Sequence, residues 1–282
     1  MKYGLVSNPK SGKLSIDEKK VVLANASSIL QDCKVFGLDT KSADEFRSCA
    51  NEISKKVDIL VVAGGDGTLH DVINSVSQEV VLSYIPLGSG NAIKYALNLP
   101  DTIPEITEQI KNGKKQSLDL ILCDNSKKTF VADVGIGGYI MSEREKNLHK
   151  GKKGRLAYGL AIIKQAFEYE RGISTVIIDD EVLEFNKLWS LIVTKIPHGG
   201  YGLNVVPKAI LNDGNIHFLA VNPNLPNLIY GLSITLFGKN KSGEYRTCKK
   251  VEIITNKKEY LEIGVMLREK VQSLRLKSFQ SV

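Results

Sequence analysis

The run Gly64-Gly65-Asp66-Gly67-Thr68 puts three glycines, a carboxylate and a hydroxyl into five positions, a composition suited to holding phosphate. Glycine lets backbone N–H groups approach a phosphate with no Cβ in the way. A helix starting just behind adds unpaired donors and a favourable dipole. Asp66 is the odd member. A carboxylate repels phosphate unless a metal lies between them, so an acid here points to a magnesium nucleotide or to a general base. Glycine and aspartate also recur in strand-to-helix turns for geometry alone, so the pentapeptide by itself does not specify chemistry. Two further turns keep it company: Asn8-Pro9-Lys10-Ser11-Gly12 and Pro86-Leu87-Gly88-Ser89-Gly90-Asn91. Each of the three follows a strand-like run. Ligands of an open parallel sheet bind beyond the C-terminal strand ends, so three such turns together say more than any one.

The elements that must position these turns alternate. Residues 2–7, 34–38, 57–63 and 80–85 read as strands, and residues 16–30, 43–54, 69–76, 92–97 and 103–111 as helices. Leu69, Val72, Ile73 and Val76, for example, recur at helical spacing. The alternation predicts a parallel α/β layer structure. After about residue 117 the texture changes. Residues 118–123, 129–134, 175–178, 189–195, 215–220 and 250–255 read as strands joined by Asp/Asn/Gly turns, with helical segments at 153–170 and 225–236. A mostly antiparallel second domain is expected. The expected division is an α/β nucleotide-binding domain over residues 1–117 and a β-rich domain over 118–269. The alternating tail at 272–279 could join either, so residues 270–282 are an optional completion of the first domain.

Composition sets the outer limits. The chain has 282 residues, 43% hydrophobic and 24% charged, which is ordinary for a soluble globular protein of one or two domains. No stretch reaches the roughly 18 apolar residues that span a bilayer. The longest candidates, 156–167 and 188–196, are broken by Lys164 and Lys195. The N-terminus runs straight into a strand pattern, without the features of a signal peptide. Cys33, Cys49, Cys123 and Cys248 are scattered, without metal-ligand spacing, and are expected to be reduced thiols. A net charge of +7 favours anionic partners. The densest basic segment, 146–155, reads either as a solvated loop or as a contact with an anionic surface. It lacks interleaved aromatics, and nucleic-acid binding is not expected.

The three turns, in this order, resemble the diacylglycerol kinase and sphingosine kinase superfamily, which includes bacterial lipid kinases. The likeness covers nearly the whole chain. It extends to Phe130-Val131-Ala132-Asp133-Val134-Gly135-Ile136-Gly137-Gly138, to Gly199-Gly200-Tyr201-Gly202, and to Pro207-Lys208-Ala209-Ile210-Leu211-Asn212-Asp213-Gly214. NAD kinases share the Gly-Gly-Asp-Gly turn without this accompanying set. The resemblance implies an NAD kinase-like three-layer α/β domain followed by an antiparallel β-sandwich domain, with ATP bound between them. It implies ATP-dependent phosphorylation of a lipid hydroxyl by a cytoplasmic enzyme that acts at the membrane periphery. By position, Asn8, Thr40, Gly64, Gly65, Asp66, Gly67, Thr68, Leu69, His70 and Ser89 would contact ATP. Asp66 would hold the Mg²⁺-phosphate unit or help activate the acceptor. A structural Mg²⁺ would take backbone oxygens of Ile210 and Asn215 and the carboxylate of Asp213. Hard oxygen ligands suit that ion, whereas Asn212-Asp213-Gly214 also reads as a simple hairpin turn. His70-Asp71 and Ser89-Gly90-Asn91-Ala92 lean toward the sphingoid-base side of the superfamily.

The chain also departs from the pattern. Near the C-terminus the family carries Asp-Gly-Glu, whose acids are assigned to activating the acceptor. Here Ile263-Gly264-Val265 stands in its place, and Tyr95 stands where many relatives carry Arg. Glu262 is one position off. In a strand it faces the other side unless a bulge recruits it. A general base is worth about 10²–10⁴ in rate, and phosphoryl transfer relies mostly on positioning. Asp66, Asp119 or His70 could substitute. The alternative is a member that binds nucleotide as a regulator with impaired or lost transfer; a third reading is a kinase of a soluble metabolite such as NAD. Blander roles are expected for several residues: packing for His70, solvation for His149, a turn for His198, a surface position for His217 and the core for Trp189. Asp119 reads as a cleft acid or as a strand-edge acid with a nearby lysine.

Overall fold

The computed structural model describes residues 1–31, 33–149, 154–228, 230–231, 239–264 and 266–280. These form two compact units, one of residues 1–117 with Gly200–Gly202, the other of Leu118–Gly199 with Leu203–Gln280.

The first unit runs β1 (Tyr3–Ser7), α1 (Ile16–Ile29), β2 (Val35–Phe36), α2 (Ala43–Ser54), β3 (Ile59–Gly64), α3 (Asp66–Ile73), β4 (Val81–Pro86), α4 (Ala92–Ala96) and α5 (Ile103–Asn112). Its four strands are parallel and ordered β2-β1-β3-β4. The chain therefore leaves β1 toward one side of the sheet and returns on the other at β3. Such a switch point opens a crevice at the strands' C-terminal ends. The turn after β1 and the turn after β3 flank it. β1 and β3 are buried at every position, as a parallel sheet covered on both faces requires. Leu5, Val61, Ala63 and Ile85 pack with Leu23 and Ala26 of α1, with Leu30 at its C-cap and with Ile106 of α5. Ser15 and Thr102 start α1 and α5 with reciprocal capping boxes to Glu18 and Glu105. α3 begins at Asp66, three residues before its apolar spacing does, because the glycine turn itself forms the first helical turn.

The second unit contains β5 (Asp119–Cys123), β6 (Lys127–Thr129), β7 (Val131–Gly135), α6 (Ile136–His149), α7 (Gly154–Glu168), β8 (Gly172–Ile178), β9 (Glu181–Leu188), β10 (Ser190–Thr194), β11 (Ile216–Val221), β12 (Glu244–Cys248), β13 (Lys250–Ile263) and β14 (Met266–Gln280). All its strand pairs are antiparallel. β13 bends the sheet over itself. Its first part pairs with β8 and its last three residues with β7, with register shifts after Ile254 and Tyr260. The inner face closes on one core that includes Ile121, Ala132, Val176, Phe218, Val251 and Leu261. The tail at 272–279 lies in β14, which pairs with β13 and β5 in this second sheet.

Four elements, β6, β9, β12 and α6, escape the sequence pattern. β9 and β12 carry Glu181, Glu184, Lys187, Glu244 and Arg246, so polarity masks their strand periodicity. The glycines of 135–138 disguised the start of α6. His217, expected at the surface, is buried at 1% exposure, because its face of β11 is covered by the 208–213 loop and Tyr245. Residues 150–153 of the basic segment, Val265, and residues 229 and 232–236 of the last expected helix lie outside the described residues. Among the described residues no helix is long and apolar enough to cross a membrane.

Candidate functional site

The three turns of the first unit touch one another. Leu87 N donates to Gly64 O at 2.7 Å, which ties the end of β4 to the end of β3. A Cβ at Gly88 would lie 2.5 Å from Gly65 Cα, so these two backbones meet with no room for a side chain. Gly12 has φ +71°, and a Cβ there would lie 1.9 Å from Leu87 O. Glycine is thus required at 12 both by its left-handed backbone and by the neighbouring turn.

Gly65, Asp66 and Gly67 are partly exposed, whereas Gly64, Thr68, Leu69 and His70 are buried. The N–H groups in the first turn of α3 lie outside its helical ladder, and residues 65–67, which open it, are partly exposed. Leu69 and His70 are the packing side of the same helix. Asn8 is partly exposed and its Oδ1 accepts from Lys10 N at 2.9 Å. The Thr40 hydroxyl donates to Gly37 O at 2.7 Å, and Ser89 is exposed at the tip of its turn.

Asp66 has a role its sequence position did not disclose. Its Oδ2 accepts from Ala92 N at 2.9 Å and its Oδ1 from Ile93 N at 3.1 Å. α4 begins at Asn91, a left-handed residue whose side chain does not cap it. The carboxylate of α3 therefore caps α4 and fixes the 86–91 turn against the 64–68 turn. Burial lifts this carboxyl above its usual range, and the amides of Ala92 and Ile93 pull it back. Asn91 Nδ2 donates to Gly88 O at 2.9 Å, closing the same turn from within.

Lys19 is fully buried. Its Nζ donates to Asn8 O at 3.0 Å and Pro9 O at 2.7 Å, so it holds the first turn from below. Burial lowers its pKa. The only sequence signal was a lysine in a helix packed on the sheet, and exposed lysines look the same.

The second unit holds two clusters. In the first, Ile210, Asp213 and Asn215 do come together, but a lysine stands among them. The Lys195 ammonium donates to Asp213 Oδ1 at 2.9 Å, to Asp119 Oδ2 at 3.1 Å and to the backbone oxygen of Asn215. Ile210 O lies 3.1 Å from His217 Nε2 instead. Two of the three oxygens expected around Mg²⁺ are thus already taken by a fixed positive charge. The donor set does not fit a divalent ion, which needs about six oxygens near 2.1 Å. Among the described residues no cluster of three or more His, Cys, Asp or Glu suits a metal. Burial alone would raise the Asp213 carboxyl, but the Asn215 amide, the Lys195 ammonium and His217 outweigh it and hold it down at about 2.

In the second cluster Glu262 pairs across strands with Asp133. The irregularity of β13 after Tyr260 is the kind of bulge that a recruited Glu262 requires. The Ser190 hydroxyl donates to Asp133 Oδ1. Gly137 leaves the space for that carboxylate, since a Cβ there would lie 2.1 Å from Asp133 Oδ2. Burial lifts Asp133 to about 6, against the Ser190 hydrogen bond. Burial and the Asp133 charge lift Glu262 to about 8, against Arg144. A raised carboxyl pKa means the folded protein binds protons that the unfolded chain has released. Stability therefore falls as pH rises from about 4 to about 8. Glu262→Gln is expected to remove the upper part of that slope, leaving the melting temperature near wild type at pH 5 and raising it by roughly 3–6 °C at pH 8. Thermal melts across pH check this, and parallel profiles for the two proteins would refute it.

Comparison with known proteins places this geometry. Residues 2–123 match the family described as "Diacylglycerol kinase catalytic domain". The chain is 24% identical over 264 residues to a diacylglycerol kinase of Staphylococcus saprophyticus, covering 88% of this chain and 83% of that one. A crystal structure of a diacylglycerol kinase from Bacillus anthracis superposes with a TM-score of 0.78 at 18% identity, over 99% of this chain and 94% of that chain. An NAD kinase from Archaeoglobus fulgidus, solved in complex with ATP, gives a TM-score of 0.51 at 12% identity, over 99% and 90%. The two structures establish a shared fold, an α/β unit with a parallel sheet followed by an antiparallel β unit, as the sequence pattern predicted.

Proposed function

We propose that this chain, which belongs to the diacylglycerol kinase-like lipid kinase superfamily, transfers the γ-phosphate of ATP to a hydroxyl of a lipid or lipid-like alcohol. The observation that carries this reading is the contact of three glycine turns at the C-terminal ends of β1, β3 and β4, closed by Gly12, Gly65 and Gly88. When bound, magnesium ATP would supply the transferable phosphoryl group and a cation that offsets its negative charge. The chain's own part is to hold and orient. The amides of Gly65, Asp66 and Gly67 would hold the phosphates, with Asn8, Thr40 and Ser89 beside them and Thr68 packed behind. Lys19 and Asp66 keep the surrounding turns in register. Both Asp66 oxygens already accept backbone amides, so the first part of its carboxylate is to position the turns. Phosphoryl transfer passes through a loose transition state, and geometry of this kind contributes most of its catalysis.

The lipid nature of the acceptor is supported by the relatives' names, and the +7 net charge suits work at an anionic membrane surface. The test is purified protein with labelled ATP, Mg²⁺ and vesicles carrying diacylglycerol, a sphingoid base or another long-chain alcohol. Label in one organic-phase product is expected. Absence of product from every acceptor, with ATP still binding, would overturn the assignment.

A further inference from the structure

A carboxylate pair and a backbone oxygen that converge in a protein interior need a positive charge, and this chain supplies it covalently. Lys195 sits at the end of β10 with a fully buried side chain. An ammonium has three N–H donors, and three oxygens meet them: Asp119 Oδ2 from the start of β5, Asp213 Oδ1 and Asn215 O from the loop before β11. The acceptors are themselves fixed. Gly214 N donates to Asp119 Oδ2 at 2.6 Å, Asn215 N donates to Asp213 Oδ1 at 3.0 Å, and Asp119 N donates to Asn212 Oδ1 at 3.1 Å. Lys249 Nζ and Ser278 Oγ donate to Gly214 O at 2.8 and 2.9 Å, which anchors the loop to the neighbouring strands. A divalent ion within bonding distance of Asp213 and Asn215 O would collide with the Lys195 nitrogen and be repelled by its charge.

We propose that Lys195 is a built-in cation that replaces a divalent metal ion at the Asp119–Asp213–Asn215 cluster, so that the second unit holds its fold without metal. The cluster is also a latent metal site, because removing the amine leaves two carboxylates and a carbonyl facing one another in a cavity of ammonium size. Lys195→Ala exposes it. The cost of that substitution is the stranding of the buried Asp119 and the half-buried Asp213, the change that makes breaking an interior ion pair destabilising.

The experiment uses the full chain without nucleotide, so it does not depend on whether a kinase reaction exists. Wild-type protein is dialysed against EDTA, assayed for bound metal and melted with and without 5–10 mM Mg²⁺, Ca²⁺ or Mn²⁺ (about the range that saturates weak extracellular-type Ca²⁺ sites). The expected result is no retained metal and an unchanged melting temperature. A stoichiometric ion, or a melting temperature that falls on chelation, would overturn the proposal. Lys195→Ala is expected to melt well below wild type and to regain stability in a concentration-dependent way with at least one of the three ions. A folded Lys195→Ala protein that no ion stabilises would also overturn it. If that variant folds only when an ion is present during purification, the proposal is upheld; if it folds under neither condition, the wild-type chelation result decides.

Discussion

Gly88→Ala is expected to abolish measurable ATP-dependent turnover and to weaken nucleotide binding by at least about 100-fold, equivalent to about 2.7 kcal/mol. The added Cβ meets Gly65 Cα at 2.5 Å and Asn91 Oδ1 at 2.7 Å. Gly65 Cα is backbone and cannot rotate aside, so one turn must retreat from the other. Overpacking of this kind costs typically 1–3 kcal/mol of stability, which in a chain of this size lowers the melting temperature by about 2–4 °C per kcal/mol. The binding loss should exceed the stability loss, because the displaced amides are the ones that meet phosphate. Gly159→Ala is the matched control. It lies in α7 with nothing within 4 Å of its added Cβ, so it should bind as wild type and melt no lower. Calorimetric titration and thermal melts of both variants decide the matter. Equal nucleotide affinity in Gly88→Ala and wild type would show that the contact between turns does not shape the phosphate site.

Asp66→Ala should be nearly as damaging, by a different route. It removes the acceptor of two amides at the start of α4, Ala92 N and Ile93 N. Each buried donor left unsatisfied costs about 1–3 kcal/mol. α4 has no cap of its own to take over, so the 86–91 turn is expected to loosen and kcat/KM to fall by about 100-fold or more. Asp66→Asn keeps one acceptor oxygen but turns an NH₂ toward the second amide, so an intermediate loss is expected. The pH–rate profile separates positioning from proton transfer. If Asp66 positions the turn, the residual activity of Asp66→Asn keeps the wild-type profile. Loss of an acidic limb in the variant would show that the carboxylate exchanges a proton during turnover.

The first unit was legible because its signals are local. Apolar runs bounded by glycine and proline turns mark parallel strands whatever they pack against, and residues 43–54 form α2 with the expected bounds. The glycine turns were legible for the same reason, since glycine at a turn reports a backbone requirement that the sequence states directly. The roles of single side chains depended on partners distant in sequence. Asp66 reads as a phosphate-side acid, and only the fold brings Ala92 and Ile93 to it. Lys195 reads as a charge that interrupts an apolar run, yet it is the buried partner of Asp119 from 76 residues away. A lysine in an otherwise apolar strand is the signal that could have found it, because such a residue is buried only when oxygen acceptors meet its ammonium. Asp133 reads as one member of a glycine-rich segment, and strand alternation turns Glu262 to the opposite face unless a bulge recruits it. Their meeting depends on the end of β13 pairing with β7 after its first part pairs with β8, a long-range register that no local pattern records.

Titration of a non-hydrolysable ATP analogue with Mg²⁺ into the full chain, followed by isothermal calorimetry, tests the central claim most directly. One site per chain is expected, with affinity in the micromolar to millimolar range typical of enzyme substrates, lost in Gly88→Ala and kept in Gly159→Ala. A flat titration of correctly folded wild-type protein would contradict the account.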